Sequence, residues 1–93
     1  MNIILAGGIN EGKYKKISAD LIEALQSEKI DVKTTYVNTY EKTDLTNLEE
    51  GMDLVITLGT NQAKTNLPTV NGMGLLYPWM GKDKVMAEIK EYQ

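Results

Sequence analysis

The chain has 93 residues, a formal net charge of −3, 42% hydrophobic and 25% charged residues, the balance of a globular protein sized for one domain, 1–93, that buries roughly 60–65% of its unfolded surface. It contains no Cys, His, Arg or Phe, which excludes thiol, zinc and Ser-His-Asp chemistry. Its basic residues are all lysine and form no stripe, so a general nucleic-acid binder is excluded too.

The first fourteen residues organise the rest. Asn2 to Ala6 is almost wholly apolar, as a strand buried on both faces should be. It stops at Gly7-Gly8, and a third glycine and a lysine follow before a helical pattern begins. Strand, glycine-rich loop and helix together suggest an anion-binding turn, in which backbone N–H groups and the helix N-terminus face one spot. The candidate phosphate-loop-like residues are Gly7, Gly8, Ile9, Asn10, Glu11, Gly12 and Lys13. They match neither a Walker A motif nor a dinucleotide fingerprint, and a tight structural turn is the competing reading.

The periodicity predicts a helix over 14–28, with Ile17, Leu21, Ala24 and Leu25 on its inner face. A second strand, 32–37, alternates Lys33 and Thr35 with Val32, Thr34 and Tyr36, which suits a sheet edge with one wet face. Thr43 or Asp44 could cap a short helix carrying Leu45 and Leu48, closed by Gly51. A buried strand, 53–58, stops at Gly59, and the polar loop after it holds Asn61, Gln62, Lys64 and Thr65. A fourth apolar segment, 69–76, leads to the aromatic loop Tyr77-Pro78-Trp79-Met80-Gly81 and a last helix from Lys82 or Asp83.

Strands separated by helices imply right-handed crossovers and a parallel sheet. The expectation is an α/β fold: a small flavodoxin-like three-layer sandwich, with a four-stranded parallel sheet in the order 2-1-3-4 and flanking helices. Its ligand site would lie beyond the strand ends where the order reverses, so the loops 7–13 and 59–64 would face each other.

Several residues carry a resemblance: Ile3-Ile4-Leu5-Ala6-Gly7-Gly8, the helix from Tyr14, Asp53 to Thr57, and above all Leu67 to Leu76 followed by Gly81-Lys82-Asp83-Lys84-Val85. In order and length they resemble the galactitol- and lactose-type enzyme IIB subunits of the bacterial sugar phosphotransferase system. The resemblance implies the same four-stranded parallel fold and a phosphoryl carrier that accepts from a IIA partner and passes the group to sugar held by a membrane IIC partner. It also implies a phosphorylated cysteine directly after the first strand. An ungapped placement sets that cysteine on Gly7, with Glu11 near the phosphoryl position, where it would repel a dianion.

No catalytic residue is therefore assigned, and no cofactor is called for. The alternatives are a non-catalytic interaction or regulatory domain and a small anion-binding flavodoxin-like protein. Tyr14 and Ser18 are the remaining phosphoacceptor candidates, each also readable as a packing residue. Tyr77, Trp79 and Met80 form either a partner-docking patch or, through Trp79, a lid over the core. Glu49, Glu50 and Asp53 suggest a Mg²⁺ site only weakly, and a helix end in water is the preferred reading for two of them. No apolar run spans a membrane and no charged start marks a signal peptide, so a cytoplasmic location without membrane insertion is expected.

Overall fold

In the computed structural model the described residues are 1–8, 10–39, 44–58 and 64–92, with Pro78 described by its backbone alone. The order of elements is β1 (Asn2–Gly7), α1 (Glu11–Gln26), β2 (Lys33–Asn38), a 3₁₀ turn (Thr46–Leu48), β3 (Leu54–Leu58), β4 (Thr69–Asn71), α2 (Met73–Leu76), a second 3₁₀ turn (Pro78–Met80) and α3 (Lys82–Glu91). The four strands form one all-parallel sheet in the order β2-β1-β3-β4. This is the expected α/β architecture of the flavodoxin-like type.

β1 sits at the centre because it is apolar on both sides: Ile3 and Leu5 face one layer, Ile4 and Ala6 the other, and all four are buried. On the first face Ile3, Leu5, Leu54, Ile56, Leu58 and Val70 pack against Ile17, Leu21 and Leu25 of α1 and Val85, Met86 and Ile89 of α3. The second face is smaller. Ile4, Ala6, Val37 and Val55 are covered by Leu45, Leu48, Met52 and Leu67, all from connections. The edge strand β2 behaves as its alternation suggests, with Lys33 and Thr35 exposed and Thr34 and Tyr36 half-buried.

Three local expectations are corrected. α1 begins at Glu11 rather than Tyr14, because the Asn10 side chain accepts a bond from the Lys13 N–H at 2.8 Å and so caps the helix three residues earlier. The segment expected to be a helix around Leu45 is a single 3₁₀ turn whose N-cap position is Leu45, with no side-chain cap; Asp44 precedes it, its Oδ1 accepting from the Thr46 N–H at 3.0 Å, and Thr43 lies outside the described residues. The apolar run 69–76 is not one strand. β4 ends at Asn71, whose Oδ1 accepts from the Met73 N–H at 3.0 Å and turns the chain into α2.

α1 ends on Lys29, which takes the left-handed conformation (φ 65°). The Ile30 N–H then bonds back to the Leu25 carbonyl at 3.0 Å, and buried Ile30 joins Leu25 in the core, the pairing of a Schellman ending. Farther on, the Lys90 ammonium reaches Glu28 Oε2 at 2.6 Å and ties the end of α3 to the end of α1. No described helix is long and apolar enough to cross a membrane.

Candidate functional site

β1, β2 and β3 end level, with Gly7 paired to Asn38 on one side and Leu58 on the other. This is the switch point of the sheet, where parallel α/β proteins bind ligands. Gly7 is held firmly there. Its carbonyl accepts from the Thr39 N–H at 3.1 Å and from the Tyr36 hydroxyl at 3.5 Å. A Cβ built on Gly7 would lie 2.7 Å from the Leu58 Cβ and closer still to the Leu58 carbonyl oxygen. Only glycine fits, so the position that the ungapped placement gives to a phosphocysteine has no room for any side chain.

Asn10 and Glu11 are also committed internally. Gly8 is half-buried and Ile9 lies outside the described residues. Asn10 spends its side-chain oxygen on the Lys13 amide, one of the donors an anion would need. Glu11, Gly12 and Lys13 form the exposed first turn of α1 rather than a loop. Glu11 brings a negative charge to the helix N-terminus, where the macrodipole favours it, and pairs with Lys15 at 3.5 Å in a solvent-exposed contact. The cap and the carboxylate thus fill the roles that a bound phosphate would otherwise fill.

Of the second loop expected at this end of the sheet, Gly59, Asn61 and Gln62 lie outside the described residues. Lys64 bridges Asp44 in parallel register, and its carbonyl accepts from the Leu45 N–H at 2.8 Å. Glu49 Oε1 accepts from the Thr65 hydroxyl at 2.9 Å and the Asn66 N–H at 2.6 Å. Asp53 Oδ2 accepts from the Asn2 N–H at 2.8 Å. These groups join the connections to the sheet; among the described residues no group of three or more acidic side chains could hold a metal ion.

The two hydroxyl candidates are structural. Ser18 is buried and its hydroxyl lies 2.6 Å from Thr34 Oγ1, while the Tyr14 hydroxyl lies 3.1 Å from the same atom. The Tyr14 ring stacks on Tyr36 with centroids 4.7 Å apart. Both side chains fasten α1 to β2.

The Tyr77 to Met80 corner differs. The Tyr77 N–H closes α2 on the Met73 carbonyl at 2.9 Å, and the Met80 N–H returns to the Tyr77 carbonyl at 2.8 Å. Gly81 then takes a φ of 102° to start α3. This folding turns two large side chains outward: Trp79 is 80% exposed and Met80 55% exposed. The indole lies against the Tyr77 ring, at 5.2 Å and 45°. Trp79 is therefore not a lid over the core.

Among known proteins, no family model matches the chain, and no curated protein or solved structure matches it significantly. Nothing in these comparisons identifies the chain as an enzyme IIB subunit.

Proposed function

We propose that the chain is a non-catalytic interaction module on an enzyme IIB-like scaffold, which engages a partner through Tyr77, Trp79 and Met80 and carries no phosphoryl group itself. By the resemblance, the partners to try first are the IIA subunit and the cytoplasmic loops of the membrane IIC subunit of a sugar phosphotransferase system. The observation that carries the reading is the 80% exposure of Trp79 beside half-exposed Met80. An indole of roughly 200 Å² left in water forgoes about 5 kcal/mol of burial, and aromatic side chains of this kind dominate protein interfaces. The strand order agrees with the scaffold, and the wall that Leu58 sets against Gly7 argues against the carrier step.

The reading as a small anion-binding protein has less support, because Asn10 and Glu11 already occupy the helix terminus. Two measurements test the proposal. Calorimetric titration with purified IIA subunits and IIC loops should give binding by one of them, lost in Trp79→Ala; no binding, or binding indifferent to that change, defeats it. Intact-mass analysis after incubation with a phosphorylated general carrier should show no added phosphoryl group while a cysteine-bearing IIB in the same tube is labelled. A phosphoryl group on this chain defeats the non-catalytic part.

A further inference from the structure

A second surface lies beside the exposed corner. Between α1 and the α2 to α3 segment runs a groove of about 240 Å³. Its floor is apolar, built from Ile17 and Leu21 on one wall and Leu75, Leu76 and Met86 on the other. Its rim carries Lys13 and Lys16 from α1 and Lys82 from α3, against a single carboxylate, Asp20. The α1 residues follow the i, i+3, i+4, i+7, i+8 spacing of one helix face.

Charge and shape together restrict the occupant. The chain as a whole has a net charge of −3, yet lysines outnumber acids three to one around this groove, and among the described residues none of the three is in an ion pair. The volume falls below the roughly 300 Å³ at which small-molecule pockets begin, and suits a few aliphatic side chains. The cations stand on both walls of a trough, so they suit charges distributed along an element rather than one acid head group.

We infer that this groove receives an acidic amphipathic helix of a partner protein, its apolar face between α1 and α2–α3 and its carboxylates over Lys13, Lys16 and Lys82. Helix-in-groove docking of this kind anchors through side chains at i, i+3, i+4 and i+7. The inference rests on the reading of the chain as an interaction module and adds the chemistry of what it engages. Opposite charge at the rim raises the association rate and makes it salt-dependent.

The test uses the isotope-labelled chain and four probes: a helical peptide of about 18 residues with leucine on one face and glutamate elsewhere, its lysine counterpart, a scrambled acidic isomer, and decanoate. Amide shifts confined to the groove walls with the acidic amphipathic peptide alone are the expected result. Affinity should fall about tenfold or more in the surface variant K13E/K16E/K82E, and that of the unaltered chain should fall with added salt. No binding by that peptide, equal binding by the basic or scrambled peptide, shifts on another face, or saturation by decanoate alone overturns the inference. The two proposals fail separately. A peptide bound as tightly by Trp79→Ala as by the wild type keeps the groove even if the Trp79 corner proves idle, whereas a partner lost in Trp79→Ala keeps the corner even if the peptide never binds.

Discussion

The β1 to α1 turn and the Tyr77 to Met80 corner are both glycine-flanked reversals at the head of a helix, and they use their side chains in opposite ways. In the turn three residues are engaged within the chain: Gly7 is locked between two strands, Asn10 caps α1, and Glu11 complements its dipole. In the corner the backbone closes on itself, and the large apolar side chains are turned into water. A segment whose groups are satisfied within the chain contributes to stability. One whose groups are satisfied only by something outside contributes to recognition. The difference shifts attention from the glycine-rich turn to the aromatic corner.

That contrast can be broken most decisively at Gly7. Gly7→Cys, which would restore the residue implied by the resemblance, should destabilise the protein by about 3 kcal/mol, since its Cβ runs into the backbone of Leu58. A denaturant titration reads this, and a fully stable variant that accepts a phosphoryl group would reverse the assignment of roles. Next in size, Trp79→Ala should cost about 2 kcal/mol in binding to an engaged partner and shift stability by no more than about 0.5 kcal/mol. The two readouts would change places if the indole were structural.

Asn10→Ala should remove about 1 kcal/mol of stability, visible as a fall of roughly 4–8 °C in melting temperature, with partner binding untouched. The smallest effect is expected from Glu11→Gln, about 0.5 kcal/mol at low salt and less at high salt. Sulfate affinity, followed by calorimetry, should not rise in this variant, because the Lys13 amide stays occupied by Asn10. A clear rise would return the turn to candidacy as an anion site.

Much of the architecture was legible because its signals are long. The apolar run of β1, the spacing of Ile17, Leu21 and Leu25, and the wet alternation of β2 each extend over several residues, and together they imply a parallel sheet with right-handed crossovers, for which 2-1-3-4 is the flavodoxin-like order. The errors fall where the deciding interaction is a single side chain. Asn10 is a good cap, but Gly12 in the first turn and the absence of an apolar residue between Asn10 and Tyr14 conceal the helix start. Asn71 breaks an apolar run with one bond to the Met73 amide, and composition alone joins the two halves.

At the site, the glycines advertised the turn. Nothing in the sequence showed that Leu58 stands against Gly7, since that contact joins residues 51 positions apart across two strands. The groove was hidden on its α1 side, because the periodicity of Ile17 and Leu21 sets Lys16 and Asp20 apart from the inner face, and a helix expected from Tyr14 leaves Lys13 out. Its other wall depends on how α2 and α3 fold back.

The position of Trp79 also decides how this protein is observed. It is the sole tryptophan and already sits in water, so its emission in the folded state should nearly coincide with that of the unfolded chain, and a denaturation followed at that wavelength would register almost no transition. The Tyr14 and Tyr36 pair, stacked at 4.7 Å inside the fold, is the better optical witness to unfolding through near-ultraviolet dichroism. The indole, spectroscopically silent about folding, would respond chiefly to whatever comes to cover it.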